Sequence, residues 1–223
     1  MPTYKLHYFP IKGIAEALRL MFAYTKTPFE DYRVDVNDWF TKLKQEYPMG
    51  RLPMLEVDGK RLTQNTAITK YLSDKLGLTP TDEWEAAKAM EITCLMGDVS
   101  TNIYAFYAAI QVTDFLAPLQ STPERLAVFT KQVEEFAKPG MAYLESQLGI
   151  SSGWVFDKLT SADFMTYILV LCLVWYWGVE LADYPKLTAH KAKLEALPEL
   201  QEYLAEHGND VHSPAEPKAL LRN

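Results

Sequence analysis

Cysteine is scarce in this chain. Cys94 and Cys172 are its two, too few and too far apart for a disulfide framework, a CxxC redox pair or a zinc cluster. That usage fits a reducing compartment, so a cytoplasmic protein is expected. An excess of basic residues is missing as well. Lys and Arg number 22 against 29 Asp and Glu, a formal net charge of -7. Such a balance argues against nucleic acid or an anionic membrane as the main partner, because both need a concentrated basic patch. Long hydrophobic runs are absent too. The most apolar stretch, 164–179, is closed by Asp163 and Glu180, and falls short of the about 20 residues that cross a bilayer. The opening Met1-Pro2-Thr3-Tyr4-Lys5-Leu6-His7 has no apolar core, so no secretory leader is expected.

What is present has an ordinary globular balance. The 223 residues are 48% hydrophobic and 23% charged, enough to bury a core without cross-links. The first eighty residues and the remainder differ in texture. Residues 5–9 alternate and are rich in aromatics, which predicts a strand. Ile14, Ala17, Leu18, Met21 and Phe22 follow helical spacing. Residues 29–34 form a second expected strand, and 37–46 a short helix. Met54-Leu55-Glu56-Val57, then Asp58-Gly59, then Lys60-Arg61-Leu62 predicts a hairpin, since Asp-Gly supplies the positive φ angles of a tight turn. A helix over 65–76 ends at Gly77. This β-α-β-α-β-β-α order implies a mixed sheet with helices against it.

Beyond a linker at 77–81 the strand signals fade. Helices are expected over 83–112, 122–148, 160–178, 185–197 and 198–207, with a kink at Pro139 and a surface tail from Gly208. Thr160-Ser161-Ala162-Asp163 has the spacing of a capping box, and Leu159 with Phe164 that of a hydrophobic staple. This is a folding signal. The reading is thus an α/β domain over 1–79 and an all-helical one over 80–223.

Four features carry chemistry. Tyr8 ends the first strand, at the carboxyl edge where such folds bind ligands; an edge aromatic fits the same place. Pro53 opens a strand. If the Leu52-Pro53 bond is cis, Leu52 offers its main chain to an extended peptide, although a trans bond is the commoner state. Asn65 is a good N-cap, and the helix start behind Gln64 suits a carboxylate. Trp39, Lys44 and Arg51 lie between the second and third strands, where cations can meet a second carboxylate; Lys42 fits a solvated face. Together these describe a site for a short extended peptide with carboxylates at both ends and a reactive group near Tyr8.

That order of motifs resembles the cytosolic glutathione transferases, and the sigma class most. The resemblance rests on Tyr4-Lys5-Leu6-His7-Tyr8-Phe9, Ala15-Glu16-Ala17-Leu18-Arg19, Tyr32-Arg33 with Asp38-Trp39, the run from Gly50-Arg51-Leu52-Pro53 to Asp58-Gly59, Gln64-Asn65-Thr66-Ala67-Ile68 with Tyr71-Leu72, and the Thr160–Asp163 box. It spans roughly residues 3–205 and is most specific in the first domain. It implies a thioredoxin-like N-terminal domain, an all-α C-terminal domain and a homodimer. It makes Tyr8 the donor to the glutathione sulfur. Trp39 and Lys44 fall at the glycyl end, beside Gly50 and Arg51. Leu52, before the cis Pro53, holds the cysteinyl main chain, and Gln64 with Asn65 the γ-glutamyl end. Asp98 matches the acidic residue that a neighbouring subunit contributes. A hydrophobic electrophile pocket is expected near Phe9, Ile14, Tyr104 and Tyr107.

Several positions depart from the family pattern. Ile14 stands where many sigma members have Arg, which removes a cation near the thiolate. Asn65 replaces a Ser. Only Asp98 is acidic in 94–98, so no metal is expected, and Ala105 replaces a pocket Trp of the prostaglandin synthase group.

The chemistry follows from the thiol. An ordinary thiol titrates near 8.5 and is mostly protonated at neutral pH, while the thiolate is the nucleophile. A tyrosine hydroxyl stays protonated and can donate to the sulfur anion, which lowers the thiol pKa. The segment from Tyr8 to Gly13 has no Cys or Ser, unlike redox or serine- and cysteine-type relatives. Conjugation of glutathione to hydrophobic electrophiles is the expected activity. The alternatives are a glutathione-dependent prostaglandin-type isomerase and a non-catalytic ligand carrier or crystallin-like relative.

Overall fold

Alternation along β1 (Tyr4–Tyr8) gives the sheet two different faces. Tyr4, Leu6 and Tyr8 point one way, toward α1 (Glu16–Tyr24), where Tyr4 meets Phe22 at 5.2 Å between ring centroids. Lys5 and His7 point the other way, and both meet the ring of Tyr32. β1 lies between β2 (Glu30–Arg33), parallel to it, and β3 (Met54–Val57), antiparallel. β4 (Lys60–Thr63) closes the order β2-β1-β3-β4. The β3–β4 turn has Asp58 at φ 50 and Gly59 at φ 79, the paired positive angles expected there. This computed structural model describes residues 2–109, 122–149 and 151–210.

Ala17, Leu18, Met21 and Phe22 are fully buried, as their spacing predicts, but so are Arg19 and Leu20. The cause is tertiary: α1 is sandwiched between the sheet and α7 (Ser161–Trp177). A short 3-10 turn, Gly13–Ala15, precedes α1 and takes the start of the expected helix. α3 (Asn65–Lys75) packs beside α1, and Gly77 leaves it at φ 70.

The segment 36–50 departs from the single helix expected over 37–46. It breaks into α2 (Val36–Asp38), a π turn (Trp39–Leu43) and two 3-10 turns (Lys44–Glu46, Pro48–Gly50). Phe40 and Met49 are exposed while Trp39 is buried. The segment is thus held by a few aromatic anchors rather than by a continuous apolar stripe.

α4 (Glu83–Ala109) is long and packs along α7; the rest of the expected 83–112 helix lies outside the described residues. α5 (Pro123–Gln132) and α6 (Lys138–Gln147) are joined by a π turn, Val133–Ala137. The break expected at Pro139 falls there. Pro139 has no N–H, and its ring crowds the carbonyl four residues back, at Glu135 within that widened turn. α7 is apolar all round and is buried for that reason. Its capping box is formed: Thr160 N donates to Asp163 Oδ2 at 2.8 Å. α8 (Pro185–Glu195), the 3-10 turn Pro198–Leu200 and α9 (Gln201–His207) complete the helical part. No described helix is long and apolar enough to cross a membrane.

Candidate active site

Strand register gathers the expected residues. His7 pairs with Met54, and Met54 with Thr63. One step further along each strand, Tyr8, Pro53 and Gln64 come side by side at one end of the sheet. The Leu52-Pro53 bond is cis. No hydrogen bond joins the Leu52 main chain to another described residue, so its N–H and C=O are available at this edge.

Tyr8 is 8% exposed. Its hydroxyl accepts from Ile14 N at 3.4 Å. Gly13, at φ 47, makes that approach possible: a Cβ there would sit 2.6 Å from the Tyr8 hydroxyl. The turn 9–13 is clamped from below by Arg19, whose role went unread in the sequence. Its guanidinium donates to the carbonyls of Phe9, Ile11 and Lys12, and pairs with Glu16 and Asp31 at 3.2 and 3.0 Å. It also lies 5.8 Å from the centroid of the Tyr8 ring. Burial pushes the Glu16 carboxyl above its ordinary range, against the pull of Arg19. An ion pair three residues apart within an apolar helix was the signal available.

Gln64 and Asn65 open α3, but Asn65 is not the cap. Gln64 holds that position at φ 75, and its carbonyl accepts from Ile68 N at 2.9 Å. Asn65 becomes the first helical residue, so its side chain cannot turn back onto the helix. Its Oδ1 and Nδ2 are both buried without a partner. Buried amides are nearly always satisfied, and this one sits where a ligand's charged end is expected.

Trp39, Lys44 and Gly50 border one groove of about 490 Å³. Trp39 is 4% exposed and packs edge-on against Phe9 and Tyr47, at 5.7 and 5.1 Å. A side of this indole, rather than the whole ring, is therefore on offer. Arg51 is exposed beside the groove. Phe9 and Ile14 are half-buried on either side of the turn that Tyr8 begins. Asp98 is exposed on α4, and no contact among the described residues joins it to the sheet edge. The side chains of Tyr104 and Tyr107 lie outside the described residues.

Comparison with known proteins shows the family. Residues 4–74 match the family model for the glutathione S-transferase N-terminal domain, and 104–207 that for its C-terminal domain. Glutathione S-transferase 4 of Caenorhabditis elegans is 33% identical over 95% of this chain and 100% of its own. Hematopoietic prostaglandin D synthase of Gallus gallus is 32% identical over 92% and 96%. Among solved structures, prostaglandin synthase D of Nilaparvata lugens superposes with a TM-score of 0.77 at 26% identity, covering 92% of this chain and 98% of that one. The chain therefore belongs to the glutathione S-transferase family, enzymes with a thioredoxin-like domain and a helical domain that use glutathione as co-substrate.

Proposed function

We propose that this enzyme joins the glutathione sulfur to hydrophobic electrophiles, with Tyr8 as the group that keeps the sulfur anionic. The observation that carries this reading is the meeting of Tyr8, the cis Leu52-Pro53 bond and Gln64 at one sheet end. Leu52 pairs with the cysteinyl main chain as an added strand. Gln64 and Asn65 take the γ-glutamyl end. Trp39 and Lys44, with Gly50 and Arg51 beside them, take the glycyl carboxylate. The thiol gives its proton to water, and the Tyr8 O–H donates to the sulfur anion left behind. The Ile14 N–H aimed at the phenol oxygen polarises that O–H and strengthens its donation. The sulfur then forms a bond to the electrophilic carbon, and a leaving group departs or an added proton comes from solvent.

The same reading places the domain division at 79/80 and the electrophile between the domains, near Phe9, Ile14, Tyr104 and Tyr107. It takes the protein as a cytoplasmic homodimer in which Asp98 of each subunit reaches the other's glutamyl amine. A prostaglandin-type isomerisation is the second reading, favoured by the Gallus gallus relative. An assay in which prostaglandin D formation outpaces conjugation would put it first.

Tyr8→Phe tests the thiol's activation. The variant should fold and bind glutathione, with the bound thiol titrating about one to two units higher and conjugation near neutral pH slowed on the order of 10- to 100-fold. An unchanged thiol titration in the complex removes Tyr8 from the mechanism.

A further inference from the structure

His7 is 6% exposed and lies on the sheet face opposite α1. Its Nδ1 is 2.9 Å from the Tyr47 hydroxyl. The ring is wedged between Tyr32 and Tyr47, with centroids at 5.0 and 5.6 Å, and its Nε2 is buried without a partner. Tyr47 in turn packs on Trp39 and forms a wall of the 490 Å³ groove shared by Trp39, Lys44 and Gly50. The segment 36–50 shares no strand ladder with the sheet. Among the described residues it is tied to the sheet by the Tyr47–His7 hydrogen bond and ring contact and by one bond from Arg61 to the Glu46 carbonyl, and to the turn after β1 by the Trp39–Phe9 contact.

We propose that His7 is a positioning residue, whose hydrogen bond to Tyr47 sets the pose of segment 36–50 and thereby the affinity for the glycyl end of glutathione. This rests on the function proposed above. It also makes binding sensitive to pH. The groups facing the imidazole are Lys5 on β1, Glu30 and Tyr32 on β2, Glu56 on β3, Arg61 on β4, and Tyr47 on the covering segment. Burial, with Lys5 and Arg61, lowers the pKa of His7 against the opposing pull of Glu56 and Glu30. The neutral ring is the form that fits. A protonated ring would carry a charge into a buried place where no carboxylate is hydrogen-bonded to it, and Tyr47 could no longer donate to Nδ1. Affinity is therefore full at neutral pH and declines only as the pH falls through the lowered His7 value, on the acid side of the ordinary histidine value of about 6.5.

The probe is S-methylglutathione, which has no thiol to titrate. Its affinity for the wild-type protein should fall as the pH is lowered from about 7.0 to about 5.0, where its own carboxylates and amine hold their charge. Tyr47→Phe keeps the ring on Trp39 and removes the hydroxyl. It should raise KM for glutathione about fivefold, one ordinary hydrogen bond, with kcat changed less than about twofold. His7→Asn keeps a hydrogen-bonding group near the Nδ1 position and abolishes the titration. Its affinity should be closer to wild type than that of Tyr47→Phe, and level between pH 5.0 and 7.0. A flat wild-type profile overturns the proposal, and so does a His7→Asn profile as steep as the wild type's. A Tyr47→Phe variant with an unchanged KM does the same. A wild-type protein that ignores S-methylglutathione at every pH overturns the proposed function instead.

Discussion

At Asn65 the chain accepts a local cost. Two polar atoms are buried without partners, and each such group costs about 1–3 kcal/mol when left unmatched. A glutamyl carboxylate and ammonium would supply a partner for each. Asn65→Ala should therefore leave the ligand-free protein at least as stable as wild type. Glutathione should raise the melting temperature of wild type, by mass action, and that of the variant much less. A variant that melts several degrees lower, yet gains as much from glutathione, would make Asn65 a structural residue. The same position marks where sequence reading stops. Tyr8, Pro53 and Gln64 could be singled out from their places at the ends of expected elements and from the family resemblance; that they meet depends on strand order and register, which the pattern left open. The displacement of Asn65 from the cap depends on a positive φ at Gln64, an angle that glutamine does not advertise. His7 was hidden for another reason: its partner, Tyr47, lies 40 residues on, just past a segment expected to be a plain helix.

Helices and turns with their own chemical punctuation were the legible elements. The Asp58-Gly59 turn, the Gly77 exit and the Thr160–Asp163 box all stand where local pattern put them. Segment 36–50 was illegible because aromatic contacts to the sheet, not periodicity, decide its path. The capping box also does more than start a helix. Asp163 is fully buried. Its Oδ1 accepts from Val155 N at 2.8 Å and lies 3.2 Å from His190 Nε2 on α8. One carboxylate thus ties the loop before α7, the first turn of α7, and α8. Asp163→Ala removes the cap, worth about 1 kcal/mol, and strands the buried Val155 N–H, at about 1–3 kcal/mol. A loss of about 2–4 kcal/mol in urea unfolding is expected, with KM for glutathione little changed in the folded fraction. A loss below about 0.5 kcal/mol, the usual range for surface substitutions, would show that the network is redundant.

The two halves of the chain share one apolar core. Leu18, Phe22, Ile68 and Leu72 of the first belong to the same buried cluster as Ile92, Phe164 and Ile168 of the second. Tyr24 meets Phe164 at 5.6 Å, and Ser161 N donates to the Leu78 carbonyl at 2.9 Å. The end of the described chain folds back onto the first half. Lys26 Nζ donates to the Glu199 carbonyl at 2.6 Å, Lys12 Nζ to that of Gly208 at 2.5 Å, and Arg33 pairs with Asp210 at 2.6 Å. Cutting at 79/80 would expose the sides of α1 and α3 that face α4 and α7. Each large apolar side chain returned to water costs about 1.5–3 kcal/mol, and several together exceed the roughly 5–15 kcal/mol that holds a typical protein folded. Residues 1–79 expressed alone should therefore show no cooperative thermal transition as a monomer, despite containing the whole sheet. In the full chain, far-ultraviolet circular dichroism and tryptophan fluorescence should follow a single urea transition, since Trp39 reports on the first half and Trp154 and Trp177 on the second. A fragment that melts cooperatively as a monomer, with two separated transitions in the parent chain, would mean that the sheet domain stands by itself and that α1 is buried by the second half without depending on it.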